Sequence, residues 1–281
     1  MIMFLILVGG CITRENKQNY SKIFNMGSLH GYMLTHPQYS LNIFVDAIYQ
    51  YKPDIILTEV RPEYPGPIDG SIDGGIEQSI IYGIGELENI KIVPIDWFDD
   101  EYISLMNAEE EKKVTDQRVK EYIEPHFKEY FKKLQEESFE ILNSEENNKL
   151  VRHEYALYEK FGYKASKIRN INICKNLIKA LDDNQGKKIL TIFGLDHKYY
   201  LDDCVKDQFI EVLELKSWYD KNRINPIKKE IIELSIKNLN HAKAILKQRI
   251  ESNFYSGDYG QKIAKKIESF DKWINAIRSL K

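Results

Sequence analysis

Two histidines stand three residues after a glycine, in Gly27-Ser28-Leu29-His30 and in Gly194-Leu195-Asp196-His197. A hydrophobic run precedes each, Ile23 to Met26 and Lys188 to Phe193, and each run reads as a buried strand. A strand that ends in glycine and then an imidazole sets a histidine at the C-terminal rim of a sheet, where open α/β sheets bind ligands. Brought to one rim, the two histidines supply half of a metal or acid–base site. Glu59 ends the apolar run Ile55-Ile56-Leu57, within Thr58-Glu59-Val60-Arg61. Glu77 opens a helix after the glycine-rich stretch Gly70 to Gly75. Arg169 lies in Ser166-Lys167-Ile168-Arg169-Asn170, ahead of a helix carrying Ile173, Leu177 and Leu181.

Imidazole and carboxylate donors together suit Zn²⁺, Mn²⁺, Co²⁺ or Fe²⁺ rather than Ca²⁺ or Mg²⁺. On that reading His30, His197 and Glu59 hold a divalent metal and the free glutamate, Glu77, activates a bound water. Glu59 and Glu77 can exchange these roles, and Arg169 stabilises the developing oxyanion. Without a metal, a His–Glu pair still runs general acid–base hydrolysis. Each residue also has a structural reading. A histidine at a strand end can be capped, Glu59 can be solvated at the sheet edge, Glu77 suits the first turn of any helix, and Arg169 suits a helix surface. Asp96 reads as a turn residue. His36, His126, His153 and His241 read as structural or surface residues without partners.

The elements that must position these groups follow from periodicity. A strand spans Ile23 to His30, a helix Pro37 to Tyr51 (Leu41, Phe44, Val45, Ile48 and Tyr49 inward), and a strand runs from Ile55 to Glu59. Arg61 to Gly75 reads as an irregular loop. A helix from Glu77 carries Ile80, Ile81, Ile84 and Leu87, and a third strand spans Ile90 to Ile95. This β-α-β-α-β order is that of a parallel sheet. Residues 99–181 read as a helical insertion covering the strand tips, with Tyr122, Phe127, Phe131, Leu134 and Phe139 in helical spacing and a break at Phe161-Gly162-Tyr163. The sheet resumes at Lys188 to Phe193 and again at Phe209 to Leu215. From Asn225-Pro226 a C-terminal pair of amphipathic helices follows, divided around Ser256-Gly257-Asp258. The expected fold class is α/β: a central, mainly parallel sheet with flanking helices, a helical insertion and a C-terminal helical pair. The expected organisation is a leader and tether over 1–21, the α/β domain over 22–220, and helices over 221–281 packing on it.

The chain has 281 residues, 43% hydrophobic and 30% charged, with net charge −3, which excludes a broad basic surface for nucleic acid. Cys174 and Cys204 show neither zinc nor disulfide-framework spacing, and Cys174 reads as a small core residue. Met1 to Gly10 is apolar, and Leu7-Val8-Gly9-Gly10-Cys11 resembles a bacterial lipobox, making Cys11 the expected lipidation site and membrane anchor. Against this stands the lack of Lys or Arg before the run, and the other reading is a first strand of a cytoplasmic protein. No other stretch is long enough to span a bilayer.

The ordered set of motifs resembles the TraB/PrgY/GumN/Tiki superfamily, to which erythromycin esterases and ChaN-like haem-binding proteins are more distantly related. Gly27 to His30, then Lys52-Pro53-Asp54-Ile55-Ile56-Leu57-Thr58-Glu59, resembles its opening block. Ile168-Arg169-Asn170 resembles its Arg-Asn helix motif, and Ile192 to His197 its closing Gly-x-x-His block. The likeness covers Ile23 to Leu215. It implies an α/β core with a site of two histidines, two glutamates and an arginine. His30, Glu59, Arg169 and His197 match directly; Glu77 is taken as the second glutamate, in competition with Glu63 and Glu86. One departure is the continuation Lys198-Tyr199-Tyr200, where Tiki and GumN proteins are small and glycine-rich. Tiki proteins are membrane-associated, metal-dependent proteases; erythromycin esterases open a macrolactone without an established metal need. The expectation is a metal-dependent hydrolase of a peptide or ester bond at the bacterial cell envelope. The alternative is a non-catalytic lipoprotein binding haem, metal or a small ligand, with Tyr155, Tyr158, Phe161 and Tyr163 lining the pocket. A scaffold that has lost the chemistry is a third reading.

Overall fold

In the β-strands successive side chains point to opposite faces, and here both faces are apolar, as a sheet covered on two sides requires. The computed structural model describes residues 20–223, 225–252, 254 and 257–280; Cys11 lies outside them. Five strands form one sheet in the order β3-β2-β4-β1-β5, all parallel: β1 (Ser21–Ser28), β2 (Ile55–Thr58), β3 (Lys91–Pro94), β4 (Lys188–Gly194) and β5 (Ile210–Val212). Phe24, Met26, Ile56, Leu190 and Ile192 face one core, built with α1 (Leu41–Tyr51), α3 (Ile76–Glu88), α10 (Lys229–Glu251) and α11 (Gly257–Arg278). Ile23, Ile55, Leu57, Ile189 and Phe193 face the other, built with α8 (Ala165–Asp182) and α9 (Leu195–Val205).

The chain leaves β1 toward α1 on the first face and leaves the adjacent β4 into α9 on the second. Adjacent strands whose exits diverge to opposite faces open a crevice at their C-terminal ends, which is the ligand position of such sheets. The register places Ser28 beside Gly194 and Thr58 beside both Ile192 and Pro94. The two Gly-x-x-His blocks and Glu59 therefore meet at one rim.

Several boundaries differ from the sequence reading. β1 ends at Ser28, and His30 opens a 3₁₀ turn, His30–Leu34. α1 begins at Leu41 rather than Pro37, because the His36 ring accepts the Gln38 and Tyr39 N–H groups and holds the chain in a turn. The stretch read as an irregular loop contains α2 (Pro67–Asp73), with proline at its start and Asp69 in its first turn, both favourable there. The insertion is helical: α4 (Asp100–Thr115), a π turn at Val119–Ile123, α5 (Glu124–Glu136), α6 (Phe139–Leu142) and α7 (Glu145–Lys160). Its aromatics form two small cores, Tyr163 with Tyr158 and Phe161, and Tyr130 and Tyr155 against Tyr199 of α9. His126 and His153, read as unpartnered, stack edge to face at 5.4 Å.

Cys174 and Cys204 form a disulfide between α8 and α9. Neither the free-core reading of Cys174 nor the argument from spacing holds, because the bond depends on which faces of two packed helices meet, not on separation along the chain.

Candidate active site

Four strand tips supply the site, and glycine makes the room. A Cβ on Gly27 would lie 2.3 Å from Leu195 Cδ1, and one on Gly194 would lie 2.5 Å from His30 Nε2. The Gly-x-x-His glycines thus let the α9 start and the His30 ring close on the strand ends. His30 itself has φ +50°, a left-handed conformation that costs a non-glycine residue about 1–2 kcal/mol. Its side chain holds it there. Nδ1 lies 2.5 Å from Glu77 Oε1, which also accepts the Ser28 hydroxyl at 3.1 Å. The His30 side chain is 46% exposed, whereas Glu77 is fully buried.

Burial opposes the His30 charge, but Glu77 and then Glu59 overcome it, raising the imidazole from 6.5 to about 10. His30 is an imidazolium at neutral pH. On its other side Nε2 is 3.7 Å from Glu59 Oε2, too long for a direct hydrogen bond, so that an oxygen lying beside the pair can bridge both. Glu77 Oε2 is buried with no hydrogen-bond partner among the described residues.

Behind this pair lies a buried ionic network. Arg169 donates Nε–H and Nη2–H to the two Asp96 oxygens at 3.0 and 2.7 Å, and Nη2–H to Glu59 Oε1 at 2.8 Å. Its Nη1 is 3.1 Å from His197 Nε2. A guanidinium only donates, so His197 Nε2 carries the lone pair. His197 Nδ1–H then donates to Asn170 Oδ1 at 2.6 Å. Burial and the Arg169 charge lower His197 to about 4, so its ring is neutral. Burial alone would raise Glu59, but the His30 and Arg169 charges and the Gly194 N–H hold it well below the usual carboxylate range. That N–H donates to Glu59 Oε2 at 2.6 Å.

Two walls position the network. Asp196 accepts the Tyr130 hydroxyl at 2.8 Å and Tyr155 at 3.4 Å, so the insertion does sit over the strand tips. On the opposite side α11 reaches back: Lys266 Nζ donates to the Ile72 carbonyl, and at 3.4 Å to those of Asp73 and Gly74, capping the end of α2. Two residues on from Gly75, which has no room for a Cβ against the Glu77 carboxylate, stands Glu77 itself. Burial lowers Lys266 to about 8.

His30, Glu59, Glu77, Arg169 and His197 are therefore gathered in one place, while Glu63 and Glu86 are exposed. Asp96, read as a turn residue, is buried and holds Arg169 with two bonds. Asp196, Asn170 and Ser28 also belong to the site. The signal for the first two lay in their place beside His197 and Arg169; Ser28 carried none. Compared with family models, with curated proteins and with solved structures, the chain matches none.

A metal shared by His30, His197 and Glu59 would need the His197 Nε2 lone pair and a Glu59 oxygen. Both the lone pair and Glu59 Oε1 face the Arg169 guanidinium. Among the described residues no group of three or more His, Cys, Asp and Glu side chains is placed to hold a metal ion. As arranged, these donors fit the resident guanidinium rather than a metal ion.

Proposed function

We propose that this chain is a hydrolase of ester or amide bonds that works by acid–base catalysis, with His30 as the acid, Glu59 as the base and Glu77 holding His30 in place. The observation that carries the reading is a half-exposed imidazolium held by a buried carboxylate at the mouth of a strand-tip crevice. In the proposed reaction the scissile acyl group lies over the His30 Nε2–Glu59 Oε2 edge, in reach of both. Water oriented on Glu59 attacks the carbonyl carbon and gives up a proton to that carboxylate as the new C–O bond forms. His30 gives its Nε2 proton to the leaving oxygen or nitrogen as the scissile bond breaks. Proton return from Glu59 to His30 restores the start. Glu77 stays in place and keeps the ring oriented and charged.

The acids Glu59, Glu77, Asp96 and Asp196 face the cations His30 and Arg169, with His197 neutral. That balance favours an uncharged or cationic substrate over an anionic one. Arg169 acts by fixing Glu59 and His197 rather than by reaching the substrate. A location at the cell envelope is supported by the Cys174–Cys204 disulfide, since such bonds persist in oxidising compartments.

The test is hydrolysis of a panel of neutral, cationic and anionic chromogenic esters and peptides by the wild type, His30→Ala and Glu77→Gln, with and without a chelator. Turnover of neutral or cationic substrates that needs both residues and survives chelation supports the proposal. Turnover lost on chelation and restored by Mn²⁺, Co²⁺ or Zn²⁺ replaces it with the metal-dependent reading.

A further inference from the structure

Lys198, the first residue after the second Gly-x-x-His block, takes no part in the acid–base site, yet it is only 4% exposed. α9 turns Leu201 and Val205 to the sheet and leaves Lys198 and Asp202, four residues apart, together on another face. There the Lys198 ammonium donates to Asp202 Oδ2 at 2.6 Å and stands 5.7 Å from the Phe24 ring. Asn148, from α7, donates Nδ2–H to the same oxygen at 2.7 Å, while Asn25 Nδ2–H takes Asp202 Oδ1 at 2.8 Å. Lys198, Asp202, Asn148 and Phe24 all line one cleft of about 920 Å³, together with Leu213 and Tyr219 from the segment after β5. None of His30, Glu59, Glu77, Arg169 and His197 lines it.

The polar wall of this cleft is only partly satisfied. An ammonium has three N–H donors, and Lys198 gives one hydrogen bond among the described residues, to Asp202. Asn148 Nδ2 donates to Asp202 and, at 3.1 Å, to Glu145 Oε2, but its Oδ1 accepts nothing among the described residues. Lys198 Nζ and the Asn148 amide meet on Asp202 Oδ2, so an unused donor and an unused acceptor stand side by side, next to the apolar Phe24, Leu213 and Tyr219. A carboxylate brought there meets Asp202 and Glu145, and an ammonium meets Lys198, so either charge is opposed. The group that fits accepts one hydrogen bond and gives one without carrying charge. A carboxamide does both at once, from two atoms held side by side.

We propose that the cleft is a ligand site for an uncharged small molecule that joins an apolar body to a carboxamide. The ligand's carbonyl accepts from Lys198 Nζ, its N–H donates to Asn148 Oδ1, and its apolar body lies on Phe24, Leu213 and Tyr219. Apolar walls with a few convergent polar groups, in a volume of this size, are what small-molecule sites present. The two sets of residues are separate, so the proposal stands whether or not the hydrolase reading does.

The probe is octanamide, titrated by calorimetry against the full chain beside octanoate, octylammonium and N,N-dimethyloctanamide, with amide resonances read in parallel. The expected result is saturable binding of octanamide that shifts the Asn148 and Phe24 resonances and is unchanged in His30→Ala. The dimethyl amide has no N–H to give and is expected to bind about tenfold more weakly, as is octanamide to Lys198→Met. The ligand series leaves the protein untouched, so it decides the matter even where Lys198→Met fails to fold. Octanoate, octylammonium or the dimethyl amide binding as tightly as octanamide would show an apolar pocket without the polar pair and overturn the proposal. So would resonance shifts centred on His30, loss of binding in His30→Ala, or no saturable binding of octanamide at about 1 mM.

Discussion

Glu77→Gln keeps the size of the side chain and its acceptor oxygen but removes the charge facing His30 at 2.5 Å. With Glu77 present, His30 stands at about 10 against 6.5 unperturbed. One unit is about 1.4 kcal/mol, so the whole rise corresponds to about 5 kcal/mol of preference for the imidazolium. The ring is 46% exposed and solvent screens part of this; we take half, about 2–3 kcal/mol. Glu59 remains in the variant, so His30 is expected to titrate about two units lower, near 8. The sign is fixed by linkage. A folded value above the unfolded one gives stability that is complete below about 6.5 and is lost as pH rises through about 10. The wild type should therefore soften between those limits, and Glu77→Gln should show a smaller loss over a narrower range. The assay is the pH titration of the His30 ring C–H resonances, beside urea unfolding at neutral and alkaline pH. A wild-type ring that titrates near 6.5, or one unmoved by Glu77→Gln, would refute the reasoning.

Arg169→Met strips Glu59 and the buried Asp96 of their shared partner, and unfolding in urea should show a loss of about 3–5 kcal/mol, far above that of a surface ion pair. Gly194→Ala puts a methyl group 2.5 Å from His30 Nε2; the ring should swing out, titrate closer to 6.5 and carry no hydrolysis, all visible in the same spectra and in the ester assay. Reducing Cys174–Cys204, which closes a loop of 30 residues, should cost about 3–4 kcal/mol in paired unfolding curves with and without reductant. Lys266→Met should leave the chain folded by circular dichroism yet lower the His30 titration, because the carbonyls that Lys266 holds end α2 just before Glu77.

The strand–helix alternation and the meeting of His30, Glu59 and His197 at one rim were legible because parallel strands buried on two faces leave continuous apolar runs, and their C-terminal ends carry polar residues of unusual type. His30, Glu59 and His197 could be named for that reason; Glu77 and Arg169, which sit on helices, follow instead from a helix start after a glycine-rich stretch and from the Arg-Asn motif. What could not be read is which groups satisfy which. Asp96 looks like any residue after a strand until α8 brings Arg169 against it. The neutrality of His197 depends on a guanidinium that lies far away in sequence. The disulfide was invisible for the same cause: helix rotation about its axis decides whether Cys174 meets Cys204, and periodicity fixes that only coarsely. α2 escaped notice because its helix signals, Gly66 then Pro67, also mark turns.

The strand order carries a consequence for synthesis. β1 and β2 leave the ribosome one after the other, and consecutive strands commonly pair, yet in the finished sheet β4 stands between them. The nascent chain must keep that slot vacant while the whole helical insertion is made. During that interval two apolar strand edges are open to mispairing with each other or with a neighbouring chain. Closure comes only when residue 194 arrives, and the same event sets Gly194 and His197 beside His30. Activity in this chain would then be a late and stringent report of correct insertion, and a helper that shields the β1–β2 gap should raise the active fraction more than the total soluble yield.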